Sequence, residues 1–169
     1  MSSVRPPRKS PSSKPAVVAP VSNADSVDTS FLRTLMGYNT RRASLAIIEV
    51  FMQRMAVYDL KVVDFSVLSL VAHNPGVTSR QLCATLGVLP PNLVGLIAGL
   101  EKRGLIERRP HPSDGRAMGV HLTPAGMDLT AQAEHTAAQL EMDATARLTG
   151  AERKTLIRLL QKIYLPAGA

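Results

Sequence analysis

The sequence predicts a mainly α-helical fold with one small β-hairpin. Three observations carry this. Leu, Val, Ile and Met recur at three- and four-residue spacings over six separate stretches. Caps and breakers, among them Asn74-Pro75-Gly76, Gly87 and Gly104, divide those stretches. Two short runs, 105–109 and 117–122, flank a turn rich in Pro and Gly. The chain has 169 residues, enough to bury a core. With 45% hydrophobic but only 4% aromatic residues, and no Trp, that core is aliphatic.

Residues 1–28 hold Pro6, Pro7, Pro11, Pro15 and Pro20 with basic Arg5, Arg8, Lys9 and Lys14 and acidic Asp25 and Asp28. They read as a solvated, disordered tail; an arm that touches phosphates is the other use of such charge. A first helix is expected over about 29–57, on Phe31, Leu32, Leu35, Met36, Leu45, Ile48, Met52 and Met55, with Gly37 as its weak point. A second spans 62–73, with Phe65, Leu68 and Val71 as its stripe. The third opens on a capping box, Thr78 and Gln81, and stops at Gly87. Its Cys83 and Ala84 are small enough for close helix packing. The fourth opens at Pro90-Pro91, buries Leu93, Leu96, Ile97 and Leu100, and ends at Gly104. The hairpin turns on Pro110, Pro112, Asp114 and Gly115. Thr123-Pro124 opens a fifth helix to about 147. Thr149 and Glu152 form a second capping box for a last helix over 150–164, with Leu156, Leu159, Leu160 and Ile163 on one face.

Within this order, 78–103 has the form of a helix-turn-helix, and the hairpin after it that of a wing. The first helix braces the second, whose N-terminal half is presented to base edges. From Lys102 to Arg116 there are five basic residues against two acidic ones, and the whole chain carries a net charge of +7 with a pI near 10.1. Such a balance points to an anionic partner.

The sequence here resembles the MarR family of transcriptional regulators. The resemblance runs over about 60–127. It rests on Phe65-Ser66-Val67-Leu68, Asn74-Pro75-Gly76-Val77-Thr78-Ser79-Arg80-Gln81-Leu82, Leu86-Gly87-Val88, and Leu100-Glu101-Lys102-Arg103-Gly104-Leu105-Ile106-Glu107-Arg108-Arg109. It continues in Asp114-Gly115-Arg116-Ala117 and Leu122-Thr123-Pro124-Ala125-Gly126, the most specific pieces. The resemblance implies a homodimer whose first and last helices intertwine. It implies one recognition helix per subunit in the major groove and a wing in the adjacent minor groove. Arg116 resembles the wing arginine that enters the minor groove, and Asp114 its orienting partner. A weakly hydrated guanidinium suits a narrow groove, and an aspartate two residues away can hold it.

The implied organisation is a tail (1–28), a dimerisation helix (29–59), a winged helix-turn-helix (60–122) and C-terminal dimerisation helices (123–169). The expected DNA contacts are Ser79, Arg80, Pro91, Asn92, Leu93, Gly95, Arg108, Arg109, Asp114 and Arg116. Two features depart from the family pattern. The recognition helix opens without the usual Ser, Thr and basic residues, leaving Asn92 as the evident base reader through its amide. Lys61 stands where a Thr or Ser N-cap is usual. Relatives also bind a small anionic or aromatic effector between the dimerisation helices and the winged helix. The corresponding wall here comprises Tyr38, Arg41, Arg42, Met52, Met55 and His73, with Arg41 and Arg42 equally readable as solvated or dimer-contacting residues.

The expectation is therefore a homodimeric DNA-binding repressor released by a small ligand, on a pseudo-palindromic operator with half-sites roughly 10 bp apart. The alternative is a winged-helix module that binds protein and reads no DNA, favoured by the uncharged opening of the recognition helix. No Gly-rich phosphate loop, nucleophile elbow or recognisable carboxylate pair supports catalysis, and no cofactor is expected. Lone Cys83 gives no disulfide framework and, placed on an inner helix face, reads as structural. His73, His111, His121 and His135 lack metal-ligand spacing. No apolar run is long enough for a membrane span or a signal segment, so a cytoplasmic location is expected.

Overall fold

A computed structural model describes residues 27–111 and 114–166, without the side chains of 111–116. The tail expected over 1–28 lies outside the described residues but for its last two. The elements run α1 (Ser30–Arg33), α2 (Met36–Met55), α3 (Val62–His73), β1 (Val77–Thr78), α4 (Ser79–Leu86), α5 (Pro90–Lys102), β2 (Ile106–His111), β3 (Asp114–Leu122), α6 (Pro124–Ala144) and α7 (Gly150–Tyr164). The architecture is mainly helical with one small sheet, the wing.

Three expectations about these elements are corrected. The first helix is two pieces. Thr34 Oγ1 donates to the Phe31 carbonyl at 2.7 Å, Asn39 Nδ2 donates to the Arg33 and Leu35 carbonyls at 2.8 Å, and Leu35 is extended (φ −91°, ψ 129°). These local bonds compete with the helical ladder and set the break at 34–35, whereas Gly37 sits unbroken in the first turn of α2. The fifth helix ends at Ala144, three residues short of the expected 147, where Thr145 Oγ1 turns back to the Glu141 carbonyl. The hairpin is longer than expected, and a further strand joins it. β1 pairs antiparallel with β3 (Val77 with Val120, Thr78 with Gly119), giving the order β1-β3-β2. The register of β2 on β3 slips between Pro110 and His111, beside a residue that has no N–H for the ladder.

The core lies where α3, α4 and α5 meet the sheet. Val67, Leu68, Val71, Leu82, Leu93, Ile97, Leu100, Ile106 and Val120 are buried there. The C-terminal end of α2 (Phe51, Met55) and the inner face of α6 (Ala133, Leu140) close the same cluster. Phe51 and Phe65 meet edge to face, with centroids 5.6 Å apart. Gly126 explains why the chain enters α6 as it does. A Cβ there would fall 1.9 Å from the Leu105 carbonyl oxygen, so only glycine lets the first turn of α6 lie on the backbone leading into β2. Thr123 secures that joint: its Oγ1 donates to the Gly104 carbonyl at 2.6 Å and accepts the Gly126 N–H at 3.0 Å.

The terminal helices contrast with this core. No residue of α1 or α7 is buried, and α2 buries only Phe51 and Met55. Phe31 is 73% exposed and Ile163 64%. No single described helix is long and apolar enough to cross a membrane.

Candidate nucleic-acid interface

The helix-turn-helix is set by local chemistry. Thr78 Oγ1 accepts the Gln81 N–H at 3.3 Å, and Gln81 Oε1 accepts the Thr78 N–H at 2.8 Å, which satisfies two orphan donors at the start of α4. Gly87 ends α4 in the left-handed region (φ 63°), where a side chain would be strained. α4 and α5 meet at a bend of 115°. α3 starts at Lys61, which offers no acceptor, so only half a capping box forms: the Asp64 carboxylate accepts the Lys61 N–H at 3.1 Å.

α5 buries Leu93, Ile97 and Leu100 and leaves Pro91, Asn92, Val94, Gly95, Ala98 and Lys102 open to solvent. Leu93 is only 1% exposed, so it is corrected from the expected contacts: it anchors α5 to the core. Its neighbour Val94, 63% exposed, stands on the open face and was missed, because an apolar residue reads as core in sequence. Ser79 and Arg80 are exposed in the first turn of α4, beside backbone N–H groups suited to a phosphate. Ala84, expected in helix packing, is exposed, and Cys83 is half-buried against the core.

The basic stretch seen in sequence does not form one free patch. Arg103 donates to the Asp59 and Tyr58 carbonyls, both at 2.8 Å, and so ties the end of α5 to the corner after α2. Tyr58 in turn hydrogen-bonds Thr136 of α6 through its hydroxyl at 2.9 Å. Arg108 pairs with Glu101 at 2.8 Å, bracing β2 against α5, and Arg109 pairs with Glu107 on its own strand. Lys102 lies exposed on the open face of α5. Asp114 and Arg116 lie on β3, at the tip of the hairpin, but their side chains are outside the described residues.

The residues of the expected effector wall are dispersed. Tyr38, Arg41 and Arg42 occupy the N-terminal half of α2, and Met52 lies on the same helix about 21 Å from Tyr38 at 1.5 Å per residue. Met55 is corrected outright: it is 0% exposed, packed in the core. His73 is exposed and engaged with Glu134 of α6 at 3.0 Å, whose same oxygen accepts from Ser69 at 2.7 Å. Among the described residues no group of three or more His, Cys, Asp or Glu side chains is placed to hold a metal ion.

Comparison with known proteins agrees with this geometry. The family model described as MarR family matches residues 58–117. A relative from Thauera aromatica, a putative transcriptional regulatory protein for the hcr operon, is 32% identical over 130 residues, 76% of this chain and 78% of its own. The transcriptional repressor CouR, solved on a 23-mer DNA duplex, is 35% identical with a TM-score of 0.75, covering 82% of this chain and 99% of that one. The same repressor is also solved bound to p-coumaroyl-CoA, with a TM-score of 0.75 at 33% identity over 83% of this chain and 99% of that one. A MarR mutant from E. coli complexed with operator DNA is 26% identical with a TM-score of 0.72, over 83% of this chain and 100% of that one. A capped helix-turn-helix with an open recognition face, a three-stranded wing and these relatives lead to one conclusion: the chain belongs to the MarR family of winged-helix transcriptional regulators, which are DNA-binding proteins and not enzymes.

Proposed function

We propose that this chain acts as a homodimeric repressor that reads a pseudo-palindromic operator and releases it on binding a small aromatic or anionic ligand. The observation that carries the reading is the open face of α5 beside a hairpin, on a chain 35% identical to a repressor solved on duplex DNA. The open N-terminal half of α5 enters the major groove. Ser79 and Arg80 meet a phosphate at the start of α4, and Arg116, oriented by Asp114, enters the minor groove.

The exposed apolar residues of α1, α2 and α7 support the dimer. Leu32, Met36, Leu45, Leu156, Leu159 and Ile163 on these helices, and Leu35 between α1 and α2, are exposed, and covering such apolar side chains favours a partner surface. A two-fold axis buries both sets and places two recognition helices roughly 10 bp apart. The ligand class is supported by CouR, which is solved with p-coumaroyl-CoA, an aromatic acyl thioester carrying phosphates. Arg41, Arg42, Tyr38, Met52 and His73 line its cleft only when a partner's helices close the space between them. Release requires that the ligand favour the spacing of recognition helices that does not fit DNA.

Fluorescence anisotropy on duplexes selected from random sequence tests the reading. Specific binding that weakens steeply with salt, and a loss of about tenfold in Arg116→Ala, is the expected result. Binding no tighter than to random duplex at any salt overturns it in favour of a protein-binding module.

A further inference from the structure

The reading face of α5 has an unusual chemistry. Along its centre run Pro91, Gly95, Ala98 and Lys102, and the first three carry no hydrogen-bonding side chain. One flank, with Asn92 and Gly99, borders a groove of about 670 Å³ shared with Lys61 and Asp64 at the start of α3. The other flank carries Val94, the one exposed large apolar side chain within α5.

Val94 costs the free protein something and gives it nothing locally. A β-branched residue weakens a helix slightly, and an exposed one keeps its methyl groups in water. Its neighbours Leu93 and Ile97 are buried, so the core does not need it. What it offers is two methyl groups held in a nearly fixed rotamer, which lose little freedom on docking. Base edges in the major groove present donors, acceptors and a single apolar feature, the C5 methyl of thymine.

We propose that Val94 is a specificity-determining residue that packs on a thymine methyl in each half-site, with Asn92, on the opposite flank, left to read a different base by hydrogen bonds. The inference rests on the DNA-reading function proposed above. It deepens that reading by assigning the apolar part of the recognition.

The test replaces each thymine of a selected operator, one position at a time and symmetrically, by deoxyuridine. This removes only the methyl group. At one thymine per half-site, wild-type affinity should fall about fourfold per methyl, while other thymines stay within twofold. In Val94→Ala the penalty at that thymine should shrink below twofold, with the salt dependence unchanged. Asn92→Ala should keep the full penalty, which guards against an effect of any change in α5. A wild type insensitive to uracil at every thymine, or a Val94→Ala protein as sensitive as wild type, overturns the assignment to Val94 and leaves the DNA reader standing. A selected operator with no thymine under α5 overturns it too. Failure to select any duplex above random overturns both the assignment and the reading beneath it.

Discussion

Leu93 in α5 and Leu159 in α7 sit on amphipathic helices of similar length, yet Leu93 is 1% exposed and Leu159 48%. The first faces α3, α4 and the sheet, which close around it within one chain. The second faces nothing of comparable size among the described residues. The helix-turn-helix thus closes its core within one chain, with help from α2 and α6, whereas α1 and α7 bury no residue of their own. The contrast bears on the proposed dimer: the apolar surface left for a second copy lies on the terminal helices, away from the open face of α5.

The largest expected effect breaks the incomplete half alone. Leu159→Asp on α7 should raise the dimer dissociation constant at least 100-fold, since both copies lose an apolar contact worth about 1.5–3 kcal/mol each. Sedimentation velocity would show monomer with an unchanged helical signal; a dimer of unaltered affinity would disconnect α7 from assembly. Next in size is Gly126→Ala, at the joint between the two regions. Its Cβ would collide with the Leu105 carbonyl, so the backbone must shift, at a cost of about 3 kcal/mol in urea unfolding. A midpoint equal to wild type would mean that the joint has slack.

Thr130→Val should move in the opposite direction. Thr130 Oγ1 is buried on α6 with no hydrogen-bond partner among the described residues, so a methyl of the same shape should raise stability by about 1 kcal/mol. Loss of stability would reveal a partner for the hydroxyl. The smallest effect concerns pH. The Thr149 backbone N–H and then its hydroxyl hold the Glu152 carboxyl below the usual glutamate value. A group lowered in the folded state stabilises it above the ordinary value and loses that contribution as pH falls through the lowered one. Acidification below the glutamate range should therefore fray the start of α7 in wild type, and less so in Glu152→Gln, as read by amide exchange. Equal fraying in both would remove Glu152 from the cap.

The two regions were not equally legible. Capping boxes, Gly87 and the Leu-Thr-Pro-Ala-Gly stretch announced α4, α5 and α6, because caps and tight approaches admit few residue types. Gly126 is the physical content of that stretch: its missing side chain is space the backbone uses. The split between α1 and α2 was hidden, since Thr34 and Asn39 break the helix by bonds to carbonyls that the apolar pattern ignores. β1, two residues long, has no period to detect. At the site, charge alone did not show which arginines have partners within the chain. Lys102 to Arg116 reads as one basic cluster with Arg108 and Arg109 among the expected DNA contacts, and the fold spends Arg103 on two backbone carbonyls and pairs Arg108 and Arg109 with Glu101 and Glu107. Val94 was invisible for the converse reason: composition cannot tell a buried valine from one held out to solvent.

The central claim is that two copies of this chain read one operator together. Sedimentation of the full chain with a fluorescent duplex holding one selected operator measures this directly, by the mass of the complex at saturation. Two protomers per duplex, lost in Leu159→Asp along with most of the affinity, is the result the account predicts. One protomer per duplex, with affinity unmoved by Leu159→Asp, would contradict it.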